Sequence, residues 1–308
     1  MDQNKLHLYA HAKLLISGEY LILRGATGLA IPLRYGQSLT IETIDSPPGL
    51  HWSAFSNGRL WMWVQFGAAN LEIMDTDRPD LARTLQDILR HARKLQPKFL
   101  SAPSGLSAKA ELNFPPEWGI GSGSSLIANI ARWADVDPYL LNSGSFGSSG
   151  YDIAAALSDT PILYRNDHGT PLSQPVAFHP PFIDNLWFVY LNRKQNSLQA
   201  VRDFAQKEVS PELINTISDL SVQMAQSVEL SHFCRLLDQH ESLVGTLLNI
   251  QPVKEREFCS FEGSIKSLGA WGGDFMLAAT THGREYVTNY FENLGYTTLF
   301  NYREMMRI

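Results

Sequence analysis

Cysteine is almost absent from this chain of 308 residues, with only Cys234 and Cys259. They lie far apart without Cys-x-x-Cys spacing, so neither a zinc site nor a disulfide framework is indicated. Both read as buried thiols in a reducing compartment. No apolar run approaches the roughly 20 residues that span a bilayer. The opening Met1-Asp2-Gln3-Asn4-Lys5-Leu6-His7 lacks the apolar stretch of a signal peptide, so a cytoplasmic protein with no membrane partner is expected. Basic runs interleaved with aromatics are also missing. Against 31 acidic residues there are 25 Lys and Arg, a net charge of -6, which offers nucleic acid no surface. No internal repeat or low-complexity segment is present.

What remains is ordinary for a globular protein: 44% hydrophobic and 18% charged residues, enough for two moderate domains. The punctuation at Asn166-Asp167-His168-Gly169 and His179-Pro180-Pro181 puts the boundary near 180, giving domains 1–180 and 181–308. Residues 6–23 read as a strand pair around Ser17-Gly18-Glu19. Strands follow at Leu39–Ile44 and Leu60–Phe66, separated by the turn formers Asp45–Gly49 and Ser56-Asn57-Gly58. After Pro79, apolar residues at Leu81, Leu85, Ile88, Leu89 and Ala92 keep a helical period. A strand over Ala108–Phe114 leads into a glycine-serine segment. In the later half, a strand is expected at Leu186–Leu191 and helices from Ser210-Pro211 and over Glu229–Leu248. A strand at Phe275–Thr280, a helix over Arg284–Asn293 stopped by Gly295 and a last strand near Thr297–Phe300 complete the chain.

The segment Gly119-Ile120-Gly121-Ser122-Gly123-Ser124-Ser125 runs into apolar residues with helical spacing, Leu126, Ile127, Ile130 and Ala134. Glycines let backbone N–H groups converge on a ligand, and a helix start has unpaired donors and the positive end of its dipole. The segment therefore reads as an anion-binding loop, with phosphate as the natural occupant. Taken alone, it also fits a flexible turn with a serine cap.

Two further segments accompany it. Ala10-His11-Ala12-Lys13-Leu14-Leu15-Ile16-Ser17-Gly18-Glu19-Tyr20 lies near the start, and Lys266-Ser267-Leu268-Gly269-Ala270-Trp271-Gly272-Gly273-Asp274-Phe275 lies late. Together with the glycine-serine loop, and in this order, they resemble the three signature motifs of the GHMP small-molecule kinases, the superfamily of galactokinase, homoserine kinase, mevalonate kinase and phosphomevalonate kinase. The resemblance covers most of the chain. A fourth segment, Gly144–Ala156, is similar to the Ser-Gly-x-Asp stretch that supplies the acidic catalytic residue in mevalonate and phosphomevalonate kinases. Its core Gly150-Tyr151-Asp152-Ile153-Ala154 matches a bacterial subgroup known by that pentapeptide.

The resemblance implies an α+β chain with the two-domain GHMP kinase fold: a ribosomal protein S5 domain 2-like N-terminal domain that binds ATP, and a ferredoxin-like C-terminal domain. ATP and acceptor would meet in the cleft between them. It implies Asp152 and Lys13 as catalytic residues. On local grounds Asp152 is also a plain first-turn carboxylate and Lys13 a solvent-facing strand lysine. Gly119, Gly121, Ser122, Gly123, Ser124 and Ser125, with Gly269, Ala270, Gly272 and Gly273, are the candidate ATP contacts. Ser122 and Ser124 are the candidate Mg²⁺ ligands, and Ser149, Arg193 and Ser197 the candidate substrate contacts, with Lys194 beside them. Glu19 belongs to that last group by position, and its Gly-Glu turn also reads as structural.

Departures from the motifs are specific. Gly123 replaces a serine that helps hold Mg²⁺ in mevalonate kinase. Leu141 stands where mevalonate kinase has an acidic metal ligand, a residue phosphomevalonate kinases also lack. Trp271 and Asp274 occupy glycine positions of the third motif, and Asp274 either points away from the phosphates or helps hold the metal. The implied activity is ATP-dependent phosphorylation of a small acidic metabolite, with mevalonate or phosphomevalonate the first candidates, in the isoprenoid precursor pathway, by a monomer or homodimer. A diphosphomevalonate decarboxylase and a nucleotide-binding protein without turnover are the alternatives.

Overall fold

The computed structural model describes residues 5–101, 104–193, 197–271 and 273–307. Gly272 and Lys194 lie outside the described residues. The chain divides into two compact units, each discontinuous in sequence. One comprises Met1–Ala12, Tyr35–Pro116 and Gly121–Leu157; the other comprises Lys13–Arg34, Glu117–Ile120 and Ser158–Ile308.

Two long strands, β1 (Lys5–Ser17) and β2 (Gly28–Ile44), contribute residues to both units. The expected strand pair over residues 6–23 is instead one unbroken strand and a 3₁₀ turn, Leu21–Arg24. The reason is local. Gly18 (φ 92°) and Tyr20 (φ 63°) leave the extended region, Ile22 N–H bonds Gly18 O at 2.9 Å, and the apolar Leu21 and Ile22 are buried in the turn.

In the first unit, β3 (Gly49–Ser56), β4 (Arg59–Gly67), β5 (Ile73–Thr76) and β6 (Gly105–Leu112) form a sheet with the end of β2, in the order β5-β4-β3-β6-β2. The β3–β6 pair is parallel and the others are antiparallel. Asn57 and Gly58, both at positive φ (48° and 76°), make the tight hairpin turn whose twist suits two antiparallel strands. Strand β3, eight residues between the two turn signals, adds to the strands expected from the sequence. Helices α1 (Pro79–Leu95) and α2 (Ser122–Ala134) cover the sheet. Their Leu85, Ile88, Leu89, Ile127 and Ile130 share one core with Trp52, Met62, Val64 and Phe66. Helices α3 (Pro138–Ser143) and α4 (Tyr151–Leu157) pack beside α2.

In the second unit, β7 (Ile162–Asp167) and β8 (Thr170–Pro175) form a hairpin on the opening residues of β2, Gly28–Ala30. The remaining strands are β9 (Leu186–Tyr190), β10 (Ser264–Ser267), β11 (Phe275–Ala279) and β12 (Leu299–Asn301), in an antiparallel sheet ordered β10-β11-β9-β12. Helices α5 (Ser197–Ala205), α6 (Pro211–Gln226), α7 (Leu230–Leu248) and α8 (Val253–Glu257) follow β9, α9 (Arg284–Asn293) follows β11, and α10 (Tyr302–Met305) follows β12. The fourth, first, third and second strands thus lie side by side, the ferredoxin-like order. Ser210 caps α6 by accepting from Leu213 N–H at 3.2 Å, as the Ser-Pro signal implies. Cys259 is exposed and Cys234 half-buried, which corrects the expectation of two buried thiols. Burial still raises the Cys234 thiol, whereas Cys259 stands at the surface. Among the described residues no helix is long and apolar enough to cross a membrane.

Ile127 is fully buried in the first unit's core, whereas Leu126 next to it is only partly covered. Ile127→Ala is therefore expected to cost about 2–5 kcal/mol of unfolding free energy and Leu126→Ala less than half as much, read from urea midpoints.

Candidate active site

In the second unit, a buried cluster of charges joins the first and third motifs. Lys266 on β10 donates its ammonium to Glu19 Oε1 and to Ser267 O (2.9 Å), and both side chains are almost entirely out of water. From α7, His240 Nε2 accepts from Gly18 N–H at 2.9 Å and lies 3.4 Å from Glu19 Oε2. A ring nitrogen that accepts a backbone proton carries none itself, so His240 is neutral with its proton on Nδ1. Burial, reinforced by Lys266, holds the imidazole well below its usual range, so the His240–Glu19 contact is a polar contact and not an ion pair. Glu241 accepts from Ser267 N–H at 3.1 Å and from Ser267 Oγ at 2.8 Å. Burial pushes Glu19 up to about 7 against the pull of Lys266, and raises Glu241 as well.

The same unit brings the opening of the second motif to the other two. Lys13 N–H bonds Ile120 O at 2.8 Å, and the Lys13 side chain is half-buried. Trp118 packs edge-on against Phe275 and Phe300, while Tyr190 Oη donates to Glu117 O at 2.9 Å. Asp274 lies against Gly119: a Cβ built on that glycine would stand 2.3 Å from Asp274 Oδ2. Trp271 N–H donates to Tyr20 Oη at 3.0 Å. Gly269 adopts φ 67°, with open space where a side chain would begin, and Gly273 is buried. Arg193 grips Glu257 with two bonds, 2.9 and 2.7 Å, and donates to Tyr296 Oη at 2.9 Å. Its carbonyl accepts Asp274 N–H at 2.9 Å. Ser197 opens α5.

The first unit holds the rest of the loop. Gly121, at φ 106°, caps α2, and Ser125 N–H returns to Gly121 O at 3.1 Å. Ser124 Oγ donates to Gly121 O (3.0 Å); Ser125 Oγ donates to Ser122 O (3.1 Å) and lies 3.3 Å from Gln37 Oε1. Ser122 is half-buried at the helix start. The Phe146 ring flanks Gly123, 3.2 Å from where a Cβ would be. Asp152, in the first turn of α4, accepts from Ser148 Oγ at 2.8 Å, and Ser149 beside it is half-buried.

No protein-family model matches the sequence, and no curated protein does. Solved structures do. The mevalonate kinase of Methanococcus jannaschii superposes with a TM-score of 0.69 over 98% of this chain and 98% of its own, at 13% identity. The Streptococcus pneumoniae phosphomevalonate kinase, in complex with phosphomevalonate and AMPPNP, gives 0.69 over 96% and 99% at 15% identity. The Lactococcus lactis galactokinase complexed with galactose gives 0.65 over 97% and 93% at 11% identity. The chain has the GHMP kinase fold.

Within that fold, the sequence reading missed His240, Glu241 and Tyr20. A signal for the first two was available. Leu237 and Val244 mark the buried stripe of α7, and positions three and four beyond Leu237 fall on the same stripe. A His-Glu pair there is a buried polar pair that needs partners. Asp274, whose direction the sequence left open, is turned onto Gly119. As for Mg²⁺, no group of three or more His, Cys, Asp or Glu side chains is placed to hold a metal among the described residues. The donor set therefore fits only an ion shared with phosphate oxygens and waters, the usual habit of Mg²⁺.

The cluster sets a pH signature. Glu19 is raised in the fold, so its contribution to stability is complete below its unfolded value of 4.5 and is lost as pH rises through about 7. His240 is depressed, so its contribution is present above 6.5 and is lost as pH falls. Between these values the two slopes oppose each other. A His240→Asn variant, which keeps an acceptor for Gly18 N–H, is expected to lose stability more steeply than wild type from pH 4.5 to 7. Parallel denaturant-midpoint curves would show that His240 is not neutralised by burial.

Proposed function

We propose that the protein is an ATP-dependent kinase that transfers the γ-phosphoryl group to a small acidic metabolite, with mevalonate and phosphomevalonate the first candidates. The observation that carries this reading is the assembly of three sequence-distant motifs in the second unit: Lys13 N–H on Ile120 O, Gly119 against Asp274, and Glu19 on Lys266.

Phosphoryl transfer asks a protein to position two substrates and to neutralise developing charge. Helix α2 begins at Ser122 with N–H groups unpaired by the helix, and these donors suit phosphate oxygens. By the resemblance, Asp152 is the residue that orients the acceptor hydroxyl and takes its proton, and Lys13 the residue that supplies positive charge for the transfer. Ser122 and Ser124 are the candidate hydroxyls that would help hold a Mg²⁺ ion, which would supply further charge neutralisation when bound with the triphosphate. Glu19 acts by holding the first motif on the third. Ser149, Arg193 and Ser197 are the candidate acceptor contacts. Leu141 is fully buried in the core, so no carboxylate takes the metal-ligand position, and this favours phosphomevalonate over mevalonate.

A second reading, nucleotide binding without turnover, draws on the aromatic ring against Gly123. ATP consumption measured with Mg²⁺ and mevalonate, phosphomevalonate, diphosphomevalonate, homoserine or galactose separates the two. Turnover with one acceptor is expected, and Asp152→Asn should lower kcat by about 100-fold or more. Release of carbon dioxide from diphosphomevalonate would identify a decarboxylase instead, and ATP binding without turnover on any acceptor would favour the second reading.

A further inference from the structure

The loop between α3 and α4 is organised around one buried residue. Asn142, only 3% exposed, accepts at its backbone carbonyl the N–H groups of Ser145 (3.0 Å), Phe146 (2.9 Å) and Gly147 (2.9 Å). Its amide Nδ2 donates to Ser148 Oγ at 2.8 Å, and Ser148 Oγ donates to Asp152 Oδ1 at 2.8 Å. The order of donors is fixed by chemistry. An ionised carboxylate can only accept, a hydroxyl has one proton to give, and a side-chain amide gives only from nitrogen. Ser148 must therefore spend its proton on Asp152, and Asn142 must present its NH₂ group to Ser148, which settles the amide orientation.

We propose that Asn142 and Ser148 are positioning residues for Asp152. Their relay commits Oδ1 to Ser148 and leaves Oδ2 to take the proton of the acceptor hydroxyl. The inference rests on the kinase reading for the role of Asp152, but the relay itself stands on the geometry of the first unit. Ser148 is the residue four before Asp152, distinct from Ser149 in the recognised segment. It is exposed, so changing it leaves the core intact. Tyr139 on α3 is the ionisable neighbour whose pKa the Asp152 charge helps to raise, after burial and Asp137; it stays neutral through the range in which a carboxyl titrates.

The test compares Ser148→Ala, Ser148→Thr and Asn142→Asp with wild type, using ATP and whichever of mevalonate or phosphomevalonate turns over. Ser148→Ala is expected to lower kcat about tenfold with the KM for ATP within about twofold. Ser148→Thr, which keeps the hydroxyl, should restore kcat. Asn142→Asp replaces the donor by an acceptor that draws the Ser148 proton away, and should lower kcat at least as far as Ser148→Ala. Wild-type kcat in Ser148→Ala overturns the relay, as does failure of threonine to rescue; wild-type kcat in Asn142→Asp overturns the part assigned to Asn142. The ¹³C-carboxyl chemical shift of Asp152, assigned with Asp152→Asn and compared between wild type and Ser148→Ala, reads the relay without any acceptor. If neither acceptor turns over, the kinase reading fails, while an unchanged Asp152 carboxyl chemical shift in Ser148→Ala overturns the relay independently.

Discussion

The ammonium of Lys266 sits in a dry site with Glu19 on one side and Glu241 close by, and the second unit is built around that charge. Removing one partner of a buried pair leaves an uncompensated charge, which typically costs about 3–5 kcal/mol. The pair need not out-stabilise a well-packed apolar substitute. What it does is tie the turn after β1 to β10. Two carboxylates facing one ammonium would leave net negative charge out of water, and burial answers by raising Glu19 to about 7 and raising Glu241. His240 contributes no charge, only an acceptor for Gly18 N–H.

Backbone strain gathers around the same place. Gly18 at φ 92° passes so close to Gly28 that a Cβ would stand 2.8 Å from its Cα, so only glycine fits there. Tyr20 and Asp274 hold positive φ without being glycine (63° and 51°), conformations that cost free energy unless the surroundings impose them. For Tyr20 the surroundings include the bond from Trp271 N–H, and for Asp274 they include the bonds to Arg193 O and from Leu191 N–H. The two residues that depart from glycine in the third motif are thus tied into the unit by their backbones.

In the first unit the device is simpler. Helix α2 begins after Gly121, and its apolar side is sunk into the sheet. The N–H groups of its first turn have no partner within the helix. The polar residues behind it are satisfied internally, Ser125 near Gln37 Oε1 and Asn129 on Gln37 O at 2.9 Å. Asp152 is aimed by the loop that Asn142 gathers.

Local pattern was enough for much of this. Helical spacing after Pro79, the Ser-Pro cap of α6 and the strand, loop, helix order around Gly121 are encoded in neighbouring residues, and so they could be read directly. Motif order made the GHMP fold legible from three short segments. The β7–β8 hairpin was not legible, because short strands gain their identity from partners far along the chain. Nor could the sequence say that residues 6–23 make one strand and a turn, since the deciding contacts are the close approach of Gly28 and burial of Leu21. The sequence by itself determined which residue types stand in the four motifs. Only the tertiary structure decided that Glu19 would face Lys266 across 247 positions, because a charge buried away from water must find its partner wherever the fold places it; that Asp274 turns onto Gly119 was likewise decided by distant segments meeting.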